Sequence, residues 1–446
     1  MPERNMLSNS IIGLETHIEL KTASKMFCGC SADYFGKKPN SLTCPTCLGL
    51  PGALPVPNKK AIEKTIMMGL ALNCEISYFS KFDRKNYFYP DLPKGYQISQ
   101  YDLPFCINGR ILINDETIRI TRIHLEEDTA SLAHKEIDGE KASLIDFNRS
   151  GVPLMEIVTE PDFTSASQAK LYLQKLQQIA RALKISDADM EKGQMRCEPN
   201  INLQIIKDGK KFYTPISEIK NINSFKFTQK AIEFEEKRQL EEFKKQKQEK
   251  EEGNKRTVGW DEKMGKTFLQ REKEEAKDYR YFPEPDIPPI RLTEKYVEKI
   301  RKTLLELPDE KQKRYKDKYG LTAYQAQVLA SNRDFYEFFE EAIKSASGTL
   351  PAQLIANAII NKKHPVNVSI EEFLEKTAEE QKASSLSEAE LAKIIKKVLA
   401  GNKKAVSDYK KGKENVIGFL VGQIAKKTGE RINPELAIKI IKEKLK

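Results

Sequence analysis

Ten residues near the amino terminus alternate so regularly between apolar and polar side chains that they constrain how the chain folds. In Ile11–Leu20 the even-numbered positions are apolar or Thr, and the odd-numbered positions from 13 to 19 are Gly, Glu, His and Glu. Successive side chains of a β-strand point to opposite faces of a sheet. This period of two therefore predicts a strand with one apolar face and one charged face.

The charged face of that strand carries Glu15, His17 and Glu19, and it has two interpretations. It lies in water, as one face of many antiparallel sheets does, or its carboxylates and imidazole surround a cation. Like charges side by side on a strand repel unless they are solvated, hydrogen-bonded or bound to a metal. The strand alone leaves both interpretations open.

Four cysteines in two close pairs follow the strand, namely Cys28, Cys30, Cys44 and Cys47. Four thiolates at such spacings form a tetrahedral structural zinc site, although the first pair is C-x-C rather than the commoner C-x-x-C. Free thiols are the alternative. Seven cysteines in 446 residues, without a signal peptide, indicate a reducing compartment, and we expect a cytoplasmic protein.

A chain of 446 residues is too long for one hydrophobic core and favours several domains. The proline-rich stretch 278–289 marks one boundary, after which helical spacing dominates, and the serines of 384–387 mark another. We therefore expect a mixed domain of strands and helices over 1–290, a helical domain over 291–383 and a basic helical tail over 384–446.

The carboxyl-terminal part of the chain holds the whole net charge of +10. Residues 391–446 contain fifteen Lys or Arg against five Asp or Glu, whereas the remainder is balanced. A compact basic segment suits binding to a nucleic-acid backbone, because each neutralised phosphate releases condensed counterions. A lysine surface that only aids solubility is the alternative. The longest apolar stretch near the end of the chain, Val416–Ala425, is too short to span a membrane.

Local patterns predict several elements in the body of the chain. Arg110–Ile113 and Thr117–His124 are expected as two strands joined by a turn, and Ser165–Leu183 as an amphipathic core helix. The charged stretch 229–252 is expected as a solvated helix. Lys81–Gln100 is expected as a loop, since it mixes cations, aromatics and turn formers.

Side chains of that loop suit an anionic partner. Arg84, Lys85 and Lys94 match the oxygens of a triphosphate or a nucleic-acid backbone, and Tyr87 is able to stack on a base. An ordinary surface loop with its tyrosines packed down is the competing interpretation.

Two further strand-like segments carry carboxylates. Glu126 and Glu127 are adjacent and point to opposite faces of a strand, which leaves one of them for any single site. Glu156 lies in an apolar run, where an unpaired buried carboxylate is unfavourable and a cation is a suitable partner. Arg149, on the turn before that run, suits an anionic group.

Several long motifs occur in a characteristic order along the chain. They are Gly13–Leu20, the four cysteines with Gly49–Gly52, Phe82–Asp91, His124–Asp128, Pro153–Pro161, Asp278–Asp286, Asp408–Lys410 and Gly418–Gln423. Together they resemble the B subunit of the aspartyl/glutamyl-tRNA amidotransferase family. A related E subunit carries a large insertion for which this chain has no room.

That resemblance implies an α+β protein with a glutamine-synthetase-like cradle domain, then an all-α domain and a small helical tail that holds tRNA. It also implies ATP-dependent phosphorylation of the side-chain carboxylate of Glu or Asp misacylated onto tRNA. Ammonia then displaces phosphate and gives Gln-tRNA or Asn-tRNA. The ammonia comes from glutamine hydrolysed by a partner glutaminase, the A subunit of the amidotransferase, and a small C subunit clamps the pair.

The resemblance implies roles for individual residues as well. The implied Mg²⁺ ligands are Glu15, His17, Glu126 or Glu127, and Glu156, and the catalytic group comprises Glu15, His17, Glu127 and Glu156. The candidates for contacts with ATP phosphates or the tRNA acceptor end are Arg84, Lys85, Tyr87, Lys94 and Arg149. The four cysteines hold Zn²⁺ as a structural element. The competing hypothesis is a non-catalytic, zinc-containing tRNA-binding adaptor whose carboxylates are only structural.

Overall fold

The computed structural model describes residues 6–272, 279–361, 368–383, 388–410, 416–428 and 434–445. Contacts within the chain divide it into two compact units, Met1–Pro308 and Asp309–Lys446. The first unit is rich in strands, and every described element of the second is a helix. The α+β class predicted from the sequence is confirmed.

The described strands all belong to the first unit. They are β1 (Met6–Glu19), β2 (Glu75–Ile76), β3 (Phe79–Ser80), β4 (Asp83–Asn86), β5 (Tyr96–Ser99), β6 (Cys106–Ile113), β7 (Glu116–Glu127), β8 (Ser131–Ile137), β9 (Glu140–Asp146), β10 (Pro153–Thr159), β11 (Met195–Lys207), β12 (Lys210–Tyr213), β13 (Ser217–Lys220), β14 (Arg256–Asp261), β15 (Lys266–Glu272), β16 (Phe282–Pro283) and β17 (Ile290–Arg291). The large sheet has the order β15-β14-β13-β11-β1-β10-β7-β6-β2, and β12 pairs with β11.

Helices accompany this sheet and form the second unit. Those of the first unit are α1 (Lys59–Ala71), α2 (Ala166–Ala182), α3 (Phe225–Gln246) and α4 (Glu294–Arg301). Those of the second are α5 (Pro308–Tyr319), α6 (Ala323–Ser331), α7 (Arg333–Ala346), α8 (Ala352–Ile360), α9 (Ile370–Ala383), α10 (Glu388–Gly401), α11 (Lys403–Lys410), α12 (Val416–Thr428) and α13 (Pro434–Leu445).

Strand β1 lies in the middle of the large sheet and shows the predicted two faces. Its even-numbered side chains Ile12, Leu14 and Ile18 are buried in the main core together with residues of α1, α2 and α3. Burial of such side chains stabilises the fold by about 1.5–3 kcal/mol each. The odd-numbered face, with Glu15 and His17, projects away from this core, because adjacent strand residues point to opposite faces.

The hairpin and the core helix predicted from the sequence are confirmed. The hairpin consists of β6 and β7, joined at Asn114–Asp115. Helix α2 begins after Ser165, whose hydroxyl accepts a hydrogen bond from the Gln168 N–H at 3.3 Å and so caps the helix.

The loop predicted for Lys81–Gln100 is wrong in part, because two strands occur within it. β4 pairs with β5 in one direction and with β16 in the other. The residues of β4 are Asp83, Arg84, Lys85 and Asn86, which show no apolar alternation. The pairing therefore comes from tertiary contacts that local sequence does not reveal.

The charged helix predicted for 229–252 is shorter at its carboxyl end than expected. α3 stops at Gln246, and Lys247 takes a left-handed conformation with φ of 52°. Its N–H bonds to the Phe243 carbonyl at 2.9 Å, which closes the last turn. The Lys250 N–H then donates to the Tyr213 carbonyl at 2.7 Å, so the chain returns to the sheet.

The second unit has two separate buried clusters. One joins α5 to α9 and contains Phe339 and Phe373, and the other joins α10 to α13 and contains Ile395 and Leu420. The division into 1–290, 291–383 and 384–446 stays a prediction, and 384–387 lie outside the described residues. Among the described helices, none combines the length and apolar character needed to cross a membrane.

Candidate active site

Three neighbouring strands place a row of ionisable side chains on one face of the sheet. In the pairing of β1 with β10, His17 lies opposite Glu156, and in the pairing of β10 with β7, Glu156 lies opposite His124. Residues directly opposite in an antiparallel pair share a face. Glu126, two residues after His124, shares that face too. The sheet itself therefore assembles the cluster.

The atoms of this cluster lie close enough to interact directly. The Glu156 Oε2 atom lies 3.0 Å from His124 Nε2 and 3.4 Å from His17 Nε2. The Glu126 carboxylate lies 3.8 Å from His17 Nε2 and 3.7 Å from His124 Nε2. The Ser99 hydroxyl donates to Glu126 Oε2 at 3.0 Å. Both carboxylates are buried.

Electrostatics favour two ionised carboxylates in this buried place. Burial opposes ionisation, yet His124 and then His17 hold the pKa of Glu156 well below its usual value. Burial also opposes protonation of His17, but Glu156 raises the pKa of that imidazole to about 9. Each carboxylate is thus kept ionised by adjacent positive charge, and a bound cation can supply that charge in place of the protonated imidazoles.

The same donors suit a divalent cation. Ligand atoms of His17, Glu126 and Glu156 all lie within 4.8 Å of one another. Two carboxylates are the oxygen ligands that Mg²⁺ takes from proteins, with its remaining positions left for water or phosphate. The residues present fit such an ion, and the structure brings these three predicted ligands together.

Glu15 lies on the same face of β1 but belongs to a second acidic group. Its ligand atoms lie within 4.8 Å of those of Glu198 and Glu218. The Asn200 amide donates to Glu15 Oε1 at 3.0 Å. Burial, and then the charge of Glu156, raise the pKa of Glu15 to about 7. Glu15 therefore lies close to Glu198 and Glu218 and also interacts electrostatically with Glu156 of the first group.

Two lysines partly neutralise the second acidic group. Lys220 Nζ lies 3.2 Å from Glu198 Oε2 and 3.1 Å from Glu218 Oε1, and Lys255 Nζ lies 2.8 Å from Glu218 Oε2. Burial opposes ionisation, but Lys220 and Lys255 lower the pKa of Glu218 to about 2. Within this group the pKa of Glu15 is therefore raised, whereas that of Glu218 is lowered.

The adjacent Glu126 and Glu127 have different surroundings. Glu127 Oε1 lies 2.7 Å from Lys94 Nζ and accepts a hydrogen bond from the Ile98 N–H at 3.1 Å. Glu126, in contrast, faces the histidines. The structure therefore places Glu126 in the predicted metal group and pairs Glu127 with Lys94, another predicted site residue.

Among the predicted cationic residues, Lys85 interacts electrostatically with carboxylates of the cluster. Burial opposes its charge, but Glu126, Tyr281 and Glu156 hold the pKa of Lys85 well above its usual value. Its Nζ lies 4.8 Å from the Tyr279 ring centre and 5.9 Å from that of Tyr87. Tyr87 and Tyr279 therefore lie close to a buried cation whose charge is stabilised by the two carboxylates.

Arg84 and Arg149 are engaged elsewhere. Arg84 binds the buried Glu284 through two hydrogen bonds, of 2.7 and 2.9 Å, and stacks on Tyr96. Arg149 donates to the carbonyl oxygens of Thr129 and Ala130 at 2.9 and 2.8 Å. These contacts fix the geometry of loops, so neither guanidinium has all its donors available for phosphate.

His124 is the side chain of the cluster that the sequence-based site omitted. Its Nδ1 atom is buried and, within the described residues, makes no hydrogen bond, while its Nε2 faces Glu156. The signal for it was present, since His124 and Glu126 are two residues apart on a strand. Glu198 and Glu218 were also missed, because only strand pairing brings them to Glu15.

The four cysteines form a compact centre beside this sheet. Their sulfur atoms all lie within 4.8 Å of one another. A tetrahedral zinc ion with Zn–S bonds of about 2.3 Å requires sulfur separations of about 3.8 Å. Cys47 is buried and the other three are half-buried. The residues present fit a bound metal ion.

A pocket of about 480 Å³ lies along β1 next to Glu15. Gly13, Asn200 and Asn202 contribute to its wall, along with Tyr213 and Lys250. Its volume falls within the range of small-molecule sites in proteins. A second pocket, of about 230 Å³, is lined by Cys28 and Cys47 of the cysteine centre and by the Lys94–Glu127 pair.

Comparisons with known proteins agree with this geometry. Residues 10–298 match the family model described as the GatB/GatE catalytic domain, and residues 321–445 match the GatB domain. Proteins named as the B subunit of aspartyl/glutamyl-tRNA(Asn/Gln) amidotransferase are similar over nearly the full length. The Persephonella marina protein is 46% identical, covering 98% of this chain and 99% of its own. The Thermomicrobium roseum protein is 44% identical, covering 98% of both chains.

This chain belongs to the family of amidotransferase B subunits. The resemblance stated from the motifs is thereby confirmed. Membership also supports an enzymatic role, in a ligase of the amidotransferase type, over the adaptor hypothesis. The clusters described above all lie within the matched catalytic domain.

Proposed function

We propose that this chain uses ATP to phosphorylate the side-chain carboxylate of Glu or Asp misacylated onto tRNA, so that ammonia displaces phosphate and yields Gln-tRNA or Asn-tRNA. One observation carries this proposal. Two buried carboxylates and two imidazoles meet on the face of the sheet that also bears Glu15 and the 480 Å³ pocket. Phosphoryl transfer depends mainly on positioning and charge stabilisation, and such a site offers both.

We assign Mg²⁺ to His17, Glu126 and Glu156. When bound, it neutralises the negative charge of phosphate oxygens during transfer. His124 and Ser99 hold the two carboxylates in place through the contacts already given. We assign Lys85, whose charge is stabilised by the same carboxylates, to a phosphoryl oxygen of ATP.

Glu15 and its pocket are assigned to the nucleotide side of the reaction. Gly13 lacks a side chain, which leaves space in the pocket wall, and Asn202 contributes a buried amide. Glu15 lines the pocket and belongs to the acidic group with Glu198 and Glu218, which supports assigning it to a second cation near the phosphates. Lys94 and Glu127 line the smaller pocket, which we assign to the acceptor end or to ammonia.

The remaining parts of the proposal concern zinc, tRNA and the partner proteins. Zn²⁺ is assigned to the four cysteines, where it shapes the loop beside the catalytic sheet. The basic helices of 391–446 are assigned to the tRNA backbone. The source of ammonia is assigned to a partner glutaminase, the A subunit, and a small C subunit is assigned to hold the two together. We assign the complex to the cytoplasm, where its product would enter translation.

The test is a single-turnover measurement of phosphate transfer from γ-labelled ATP to Glu-tRNA and Asp-tRNA, with the glutaminase present and glutamine absent. The wild-type chain is expected to form an activated aminoacyl-tRNA, and Glu156→Gln is expected to slow this by at least about 10- to 100-fold, the loss that even an outer partner of a metal ligand causes. Glu136→Gln, on the exposed face of β8, is the matched control and should be unaffected. Tight tRNA binding without transfer by the wild type would support the adaptor instead.

A further inference from the structure

Lys25 is a fully buried lysine beside the cysteine centre. Its exposed fraction is 0%, which is rare for an ammonium group because removal from water is strongly unfavourable. Within the described part of the chain, no carboxylate forms an ion pair with it. Its Nζ instead lies 3.6 Å from Cys47 Sγ and donates to the Phe147 carbonyl at 3.2 Å.

The backbone around Lys25 holds this side chain in place. The Lys25 N–H donates to the Cys30 carbonyl at 2.9 Å, and the Met26 N–H donates to the Gly151 carbonyl at 2.6 Å. Gly151 has a φ of +85°, and a Cβ on it would lie 3.5 Å from the Lys25 Cδ. The stem of Lys25 is therefore packed against the turn that leads into β10, the strand of Glu156.

A buried ammonium needs a nearby negative charge, and the cysteine centre provides one when it holds a metal. Four thiolates around a divalent ion carry a net charge of −2. An N–H donated to one sulfur stabilises that charge, in the way that hydrogen bonds to ligands tune metal sites in general. Cys47 also accepts the backbone N–H of Cys44 at its sulfur, at 3.1 Å.

We propose that Lys25 is the counter-cation of the four-cysteine metal centre, which strengthens its hold on Zn²⁺ through Cys47 and fixes the centre to the turn before β10. This inference rests on the zinc assignment made above. Lys25 acts through Cys47 and the Phe147 carbonyl, so it is a positioning residue. Its role is separate from the phosphoryl-transfer chemistry.

The experiment measures metal affinity in the full-length chain by competition with a chromophoric zinc chelator. Lys25→Met removes the charge and keeps much of the stem, and it is expected to weaken Zn²⁺ binding about 10- to 100-fold. Lys25→Arg, which keeps the charge, is expected to lie closer to wild type. Lys21→Met is the matched control, since Lys21 is exposed and pairs with Asp187, and its affinity should not change.

A spectroscopic readout separates this role from simple packing. With Co²⁺ in place of Zn²⁺, the thiolate-to-cobalt charge-transfer band of Lys25→Met should move to longer wavelength, because the sulfur loses a stabilising positive charge. Lys21→Met should show the wild-type band. If Lys25→Met does not fold, Lys25→Gln replaces it, with the same expected weakening and band shift.

The outcomes distinguish two failures. A wild-type chain that binds no Zn²⁺ tightly would refute the zinc assignment and, with it, this inference. Zn²⁺ binding with wild-type affinity and an unshifted Co²⁺ band in Lys25→Met or Lys25→Gln would refute the role of Lys25 alone. Equal weakening in Lys25→Arg and Lys25→Met would also refute it, since packing rather than charge would then be responsible.

Discussion

His124 tests how the proposed Mg²⁺ site is built. It contacts Glu156, a predicted Mg²⁺ ligand, although His124 itself was not among the residues predicted from the sequence. Its Nε2 lies 3.0 Å from Glu156 Oε2, closer than the 3.4 Å from His17 Nε2. Substitution of His124 by Leu removes the shorter of these two contacts. The Glu156 carboxylate is buried, so water does not easily replace the missing partner.

The size of the effect follows from the chemistry of that contact. A hydrogen bond to a charged group contributes about 1.5–3 kcal/mol, and loss of a residue that orients a metal ligand typically lowers metal affinity about 10- to 100-fold. We therefore expect His124→Leu to raise the half-saturating Mg²⁺ concentration of phosphoryl transfer about 10- to 100-fold. The maximal rate should recover largely at high Mg²⁺, since His17, Glu126 and Glu156 remain.

The assay is the single-turnover transfer to misacylated tRNA, repeated across Mg²⁺ concentrations. His124→Gln retains an N–H donor and is expected to shift the Mg²⁺ dependence less than His124→Leu does. His134→Leu is the control, because His134 lies on the exposed β8 strand and contacts Ser143. An unchanged Mg²⁺ dependence in His124→Leu would show that Glu156 needs no second imidazole, and the assembly of the site described here would be wrong.

Three further predictions test other parts of the structure. Gly13→Val places a side chain in the 480 Å³ pocket, where a Cβ at this position meets only Pro161, at 3.6 Å. It should raise the KM for ATP about tenfold, which is equivalent to about 1.4 kcal/mol. An unchanged KM would show that ATP does not bind in this pocket. Arg196→Met leaves the buried Asp128 and Glu19 without the guanidinium that they share, and it should lower the free energy of unfolding of the first unit by about 3 kcal/mol. Denaturant titration measures this effect, with Arg110→Met on the exposed side of β6 as the control. Equal denaturation midpoints for the two variants would contradict the prediction. Removal of 391–446 should weaken tRNA binding. The slope of log K against log salt concentration should become shallower by about 0.9 for each phosphate that the segment neutralises. An unchanged slope would show that the lysines serve solubility rather than tRNA binding.

The period of two in Ile11–Leu20 was enough to predict which side chains of β1 share a face, because side-chain direction in a strand is a local property. The cysteine spacing likewise predicted a compact centre. Strand order is not a local property. The neighbours of β1 are β10 and β11, and this pairing draws Glu15 toward Glu198 while it leaves His17 beside Glu156.

The incorrect expectation for β4 and the unforeseen ion pair of Arg84 have related physical causes. β4 has no apolar alternation and becomes a strand only because β5 and β16 bond to it. Arg84 stays a predicted phosphate contact, but it pairs with Glu284, which is distant in sequence and is not indicated by the residues around Arg84. Long-range partners of this kind decide which cations are free to bind a ligand.

We propose that the side-chain carboxylate of the aminoacyl group is phosphorylated before ammonia attacks. An oxygen-isotope experiment tests this order of events. Glu-tRNA or Asp-tRNA labelled with ¹⁸O in that carboxylate is converted by the complete amidotransferase with unlabelled ATP and glutamine, and the released phosphate is analysed by mass spectrometry. Phosphorylation of the carboxylate predicts that each phosphate carries one oxygen from the aminoacyl side chain. Unlabelled phosphate, formed together with amidated tRNA, would contradict the claim.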